Sequence, residues 1–392
     1  MGIFDPGTQN NFVQGNFIGL NVAGSAALGN GYAGVDLANG CQSNTVGGGI
    51  GARNIISGNG NSGVIMEFTN TAGNVIQGNT IGLDATSSTG LGNTFDGVVL
   101  FGAARDNQIG GTAPGAANLI ASNLSDGVAL FDAATTNNSV RGNSIFGNAG
   151  VGIGQYTGSE HSEAAPVLSS ATLGTNTIVS GSLTSLSSTI FRIEFFVNLP
   201  GPGNVQGKTF LGANNATTGS GGTVSFTAGL SSTVPVGQLI TATAADLKGN
   251  TSPFSSAVTV TATDSVGDGI ADLWRKTFFG GTGTTTNYLS CATCDPDNDG
   301  LTNLQEFHAG TNPQTNSSAL RVTAVQESGS DVVVTFPSVA GKIYRVEMKN
   351  DMQLASWTLL ADQIVGTGSP IAIADPGAAG LPKRFYRADV LP

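Results

Sequence analysis

The chain has 392 residues, of which only 10% are charged and 58 are glycine, and its formal net charge is -11. Its length exceeds one ordinary core, and its Gly, Asn, Ser and Thr content favours short strands and tight turns over helices. No lysine precedes Lys208, so a phosphate backbone finds no basic surface and nucleic acid is excluded as an expected partner, while no apolar run reaches the ~20 residues of a membrane-spanning helix.

The front of the chain repeats. Asn-x-apolar triplets begin at Asn11, Asn44, Asn74, Asn107 and Asn138, with spacings of 33, 30, 33 and 31 residues. Alongside them run Gly34-Val35-Asp36-Leu37, Gly63-Val64-Ile65-Met66, Gly97-Val98-Val99-Leu100, Gly127-Val128-Ala129-Leu130 and Gly150-Val151-Gly152-Ile153. Alternate units are closer relatives: Gly15-Asn16-Phe17-Ile18 returns as Gly78-Asn79-Thr80-Ile81 and Gly142-Asn143-Ser144-Ile145, which makes the period two coils. Short alternating segments between Gly-Asn bends predict stacked strands, with Ile and Val piled inward at the ~4.8 Å strand spacing. The repeated Asn is expected to bond to the next coil and to tolerate left-handed backbone.

This rhythm resembles the right-handed parallel β-helix repeats of large bacterial surface proteins, over residues 1–158. Gly2 through Asn11 matches the late half of the unit Gly127 through Asn138, with Asp5 and Asn11 answering Asp132 and Asn138. The chain therefore reads as starting in mid-coil, with upstream coils, a cap and an export signal expected before it.

Parallel β-helices host polysaccharide lyases and glycoside hydrolases, which work with paired carboxylates or an Arg or Lys base. The best trio here is Asp36, Glu67 and Arg53, on or near adjacent coils, with solvated side chains on an outer face as the competing account. Asp96 and Asp126 each precede a repeated Gly and read as turn residues.

After a polar stretch, Ser159 to Ala165, longer strands begin. Phe191, Ile193, Phe195 and Val197 alternate with polar residues, and about seven strands are expected over 165–262. The ending Ile240 to Asp246 followed by Gly249-Asn250-Thr251-Ser252 resembles the immunoglobulin-like domain that follows such β-helices, a spacer that also suits a cap.

Within 263–313, Asp295-Pro296-Asp297-Asn298-Asp299-Gly300-Leu301-Thr302-Asn303-Leu304-Gln305-Glu306 sets oxygen donors at positions 1, 3, 5, 9 and 12 and Gly at 6. Ca²⁺ takes six to eight oxygens, the Gly allows the bend, and the Leu301 carbonyl completes the set. Without a cation the acids repel one another. The loop resembles EF-hand-like, dockerin and thrombospondin type 3 loops, which implies structural calcium. A weaker second loop offers Asp264, Asp268, the Ile270 carbonyl and Asp272, but Val266 and Arg275 fill positions 3 and 12. Helical turns are expected after each loop, with Leu273-Trp274 packing on Leu304-Phe307 and His308 on the surface.

Three cysteines are too few for a disulfide framework. Cys291 and Cys294 allow a local bridge or two thiols, and Cys41 reads as a small buried hydrophobe. From 317 to 392, strands are expected at Leu320–Val325, Val332–Phe336, Ile343–Met348, Trp357–Leu360 and Phe385–Val390, and the tail resembles the C-terminal β-domain of exported bacterial proteins. The expected class is thus mainly β: a right-handed parallel β-helix, then β-sandwich domains, with a small helical calcium-loop module. The expected role is an extracellular or cell-surface scaffold of adhesion type contacting glycans or cell-surface components. The alternative is a carbohydrate-active enzyme on the β-helix face.

Overall fold

The computed structural model describes residues 1–49, 51–156, 163–201 and 205–391, in two compact units, Met1–Thr261 and Ala262–Pro392. The expected β-helix limit at 158 and the Ser159–Ser162 part of the polar stretch lie outside the described residues.

The first unit opens with three parallel sheets. One stacks Gly2–Phe4, Val35–Ala38, Val64–Glu67, Val98–Phe101, Val128–Phe131 and Ile153–Tyr156. The second stacks Phe12–Val13, Thr45–Gly47, Val75–Gln77, Gln108–Gly110 and Ser139–Arg141, and the third Phe17–Ile18, Ile55–Ile56, Thr80–Ile81, Leu119–Ala121 and Ser144–Phe146. Register puts like over like. Val35, Val64, Val98, Val128 and Ile153 form one column, Val46, Ile76, Ile109 and Val140 a second, and Ile56, Ile81, Ile120 and Ile145 a third. All face a single buried core, where Cys41 sits as a free thiol. The parallel β-helix read from the sequence is the observed architecture.

Asparagine ladders hold the bends. Asn44 donates from its backbone N–H and its Nδ2 to Asn74 Oδ1, both at 3.0 Å, and Asn74 does the same to Asn107 at 2.9 and 3.1 Å. A second ladder runs Asn16, Asn54, Asn79, Asn118, Asn143, and a third Asn30, Asn59, Asn93, Asn123, Asn148. Inside the ladders every rung pairs its amide within a buried bend, where an orphaned amide costs about 1–3 kcal/mol. The left-handed backbone belongs elsewhere than expected. In the first ladder it falls on the preceding residue (Asn10, Ser43, Gly73, Asp106 and Asn137), which leaves the ladder Asn free to aim along the stack.

Seven longer strands follow: Val167–Leu173, Thr177–Thr184, Ile190–Asn198, Thr209–Thr217, Thr223–Leu230, Leu239–Ala245 and Val258–Ala262. Five of the ladders between them are antiparallel, and residues from separate strands, among them Val179, Ile193, Phe195, Phe226 and Ile240, close over one core in sandwich-like fashion. This domain covers the last coil. Phe254 packs on the β-helix core, Gly207 pairs with Ile145, Thr251 Oγ1 accepts the Val140 N–H, and Glu194 Oε2 accepts the Gly142 N–H.

The second unit contains α1 (Asp272–Phe279) and α2 (Asn303–Ala309), each following one acidic loop. Trp274 meets Phe307 edge-on with centroids 5.8 Å apart. Two three-stranded antiparallel sheets follow: Ala324–Ser328, Asp331–Phe336 and Ile371–Asp375 in one, and Thr358–Val365, Ile343–Lys349 and Phe385–Leu391 in the other. Phe336, Tyr344 and Val346 pack between them. Two strand expectations change. Leu320 and Val322 face the core, but ladder pairing begins only at Ala324, and Ile371–Asp375 is a strand the alternation at Ile371 and Ile373 was too short to announce.

Candidate metal centre

Loop 295–306 is shaped by its own backbone. Asp295 Oδ2 accepts the Gly300 N–H at 3.0 Å, Asp297 Oδ1 the Asp299 N–H at 3.3 Å, and Asp299 Oδ1 the Leu301 N–H at 2.8 Å. Gly300 bends at φ 96°, a conformation that strains any residue with a Cβ. Thr302 then caps α2, its Oγ accepting the Gln305 N–H while Gln305 Oε1 accepts the Thr302 N–H, so positions nine and twelve enter on a helix.

Each acid thus uses one oxygen for the loop and leaves the other over. Asp295 Oδ1, Asp297 Oδ2, Asp299 Oδ2, Asn303 Oδ1 and Glu306 Oε2 are buried oxygens with no hydrogen-bond partner among the described residues. The three Asp donors lie within 4.8 Å of one another. Asn303 is held by two bonds from its Nδ2, to the Leu289 carbonyl at 2.8 Å and the Cys291 carbonyl at 2.7 Å, which fixes Oδ1 as the free end. Thr311 Oγ1 donates to Glu306 Oε1 at 3.4 Å.

Buried unpartnered oxygens are rare because each forfeits its hydration. Burial, then the charges of Asp297 and Asp299, push the Glu306 carboxyl up to about 7, and burial with the Asp299 charge raises Asp297. Five orphaned oxygens, four of them carboxylate, make a donor set that fits a hard divalent cation. The Leu289 and Cys291 carbonyls that orient Asn303 carry no sequence signal, since any residue supplies a carbonyl. Cys291 and Cys294 are joined by a disulfide next to the loop, and His308 is exposed.

The weaker loop differs. Its carboxylates Asp264, Asp268 and Asp272 all have partners within the chain, and it contains no buried orphaned oxygen.

On the β-helix, Asp36 and Glu67 come together on the outward face of the first sheet: Asp36 pairs in register with Ile65 and Ala38 with Glu67. Arg53 does not join them. It is exposed on the bend leading into Ile55–Ile56 of the third sheet, so the expected trio has no common face. Asp96 Oδ1 accepts the Asp126 N–H at 2.9 Å and Asp126 Oδ1 the Val151 N–H at 2.8 Å, so each ties its coil to the next where the sequence suggested a turn residue. In line with Ala38 and Glu67 stand Phe101, Phe131 and Tyr156, and the last two rings stack at 4.7 Å.

No family model and no curated protein matches the chain. Among solved structures, one described as "Biofilm associated protein - BSP domain" is similar at 13% identity and TM-score 0.20, over 60% of this chain and 52% of that one. The chain thus spans about half the length of that structure. The Pseudomonas aeruginosa CupB2 chaperone is similar at 13% identity and TM-score 0.16, over 55% and 92% of the two chains. Neither likeness is close enough to inform fold or function. No helix among the described residues is long and apolar enough to cross a membrane.

Proposed function

We propose that this chain is an extracellular or cell-surface scaffold of adhesion type that binds structural calcium at Asp295, Asp297, Asp299, Leu301, Asn303 and Glu306. The observation that carries the metal reading is the set of five buried oxygens without partners, four of which would repel one another as bare anions. Calcium would join the loop to the first turn of α2 and stabilise the module rather than perform chemistry. At a hundredfold excess over Kd a ligand of the native state adds about 2.7 kcal/mol, several degrees in Tm for a domain of this size. Chelation is expected to lower Tm by that amount, and Asp297→Ala or Glu306→Ala to abolish the response. Equal melting curves in calcium and in chelator would reject the metal.

The contact surface in this reading is the outward face of the first β-helix sheet, where Phe131 and Tyr156 are 37% and 38% exposed beside Phe101. Exposed aromatic rows mark interaction sites, and flat rings with polar neighbours suit the apolar faces of sugars. A glycan array probed with the wild type and with Phe131→Ala/Tyr156→Ala tests this: binding that the double variant retains would displace the ligand from this face. A hydrolase or lyase is favoured only by the juxtaposed Asp36 and Glu67, and turnover of polyuronates or neutral glycans that Asp36→Asn or Glu67→Gln abolishes would establish it.

A further inference from the structure

The two acidic loops of the second unit share spacing but not contents. Loop 295–306 has four carboxylates and no cationic side chain, whereas loop 264–275 has three carboxylates and Arg275 at position twelve. Arg275 is 1% exposed and heads the fully buried side chains of the described residues by volume. A guanidinium so deep in the fold must be paired.

Two of its four partners are oxygens that a metal in this loop would take. Nη2 donates to Asp268 Oδ1 at 2.6 Å, and Nη1 to the Ile270 carbonyl at 3.4 Å, loop positions five and seven. Outside the loop, Nη1 donates to the Gly283 carbonyl at 3.1 Å and Nε to the Ser290 carbonyl at 3.2 Å. The remaining acids are spent on the loop itself. Asp264 accepts the Gly267 and Gly269 N–H groups, each at 2.8 Å, and Asp272 accepts the Ser265 N–H at 2.8 Å and its hydroxyl at 2.6 Å. Position three is Val266, which brings no oxygen. A divalent ion would find two of its donors bound to a fixed positive charge and the others turned toward backbone.

We propose that the Arg275 guanidinium is the resident cation of loop 264–275, standing in for a divalent ion so that this loop and α1 fold without metal. The planar fork satisfies three carbonyls and a carboxylate at once, which an ammonium could not match. Metal dependence in the second unit is thereby confined to one of its two loops.

Calcium chloride titrated into the full chain by calorimetry tests this, with wild type beside Asp297→Ala/Glu306→Gln. The double variant is expected to bind no calcium. If it keeps one ion and adding Asp268→Asn removes that ion, loop 264–275 is a calcium site and the proposal is overturned. Wild type that binds no calcium at all supports the proposal while rejecting the reading of loop 295–306. Arg275→Gln is expected to lower Tm equally in calcium and in chelator; an unchanged Tm overturns the role of the guanidinium. Val266→Asp/Arg275→Glu supplies the missing oxygens and removes the charge, and stoichiometry is expected to rise by one. A folded double variant that gains no ion overturns the claim that Arg275 is what keeps metal out.

Discussion

Gln206 Oε1 accepts from Asn148 Nδ2 at 3.0 Å, the same bond that Asn148 Oδ1 accepts from Asn123 at 2.9 Å one coil earlier. A glutamine from the next domain therefore completes an asparagine ladder. Its Nε2 also donates to the Asn148 and Gly150 carbonyls, both at 3.0 Å, so the open end of the stack meets donors and acceptors rather than water. Gln206→Ala leaves these groups buried and unpaired and is expected to cost about 1–3 kcal/mol. Urea unfolding of the full chain checks this, and an unshifted midpoint would show that the ladder needs no terminal rung.

Rung position should set the cost of losing an asparagine. Asn107 is 1% exposed, donates to Asn138 Oδ1 and the Thr71 carbonyl, and accepts from Asn74. Asn11 is exposed on the first coil. Asn107→Ala is expected to cost about 3 kcal/mol and Asn11→Ala below about 1 kcal/mol. Equal losses by the same measurement would mean that the amide ladder contributes nothing beyond local bend geometry.

The first ladder was legible because each Asn precedes an apolar strand at near-constant spacing, and the second through the Gly-Asn repeats at Asn16, Asn79 and Asn143 and the matching Asn54-Ile55-Ile56 and Asn118-Leu119-Ile120 of the intervening units. The third was missed although it carries a signal: Asn30, Asn59, Asn93, Asn123 and Asn148 are followed by no common residue, but each stands four residues before a Gly, at Gly34, Gly63, Gly97, Gly127 and Gly152. The clustering of Asp295, Asp297 and Asp299 was readable from their spacing alone, since these acids are local in the chain. Gln206 and Arg275 were not readable as partners because their roles depend on groups brought close by folding. Arg275 looked like a departure from a ligand pattern, and only its buried contacts reveal what it replaces.

Acid should relax the outward face of the first sheet. Burial lifts the Asp36 carboxyl above the usual carboxylate range against the opposing pull of the N-terminal amine, and burial and then Asp36 lift Glu67. A raised folded pKa contributes stability below the unfolded value, about 4, and that contribution is lost as pH rises through the folded one. Asp36→Asn is therefore expected to raise Tm at pH 7 by about 1–3 °C and to leave it unchanged near pH 3. A gain of equal size at both pH values would assign the effect to packing instead of charge.

Reduction should weaken the second unit. The Cys291–Cys294 bridge closes a four-residue ring, for which the chain-entropy account gives about 2 kcal/mol. The Cys291 carbonyl also holds Asn303 in place. Cys291→Ser/Cys294→Ser is expected to lower the Tm of this unit and to weaken calcium binding in calorimetry; unchanged affinity would separate the bridge from the loop.

The two-coil period lets the rod change length by unequal recombination. Excising residues 79–142 would join Gly78 to Asn143 and rebuild Gln77-Gly78-Asn143-Ser144-Ile145 where Gln77-Gly78-Asn79-Thr80-Ile81 now stands. Asn54 would then find Asn143 in place of Asn79, and each sheet would lose two strands without a seam. Copy number could drift across generations while the closing domain stays the same.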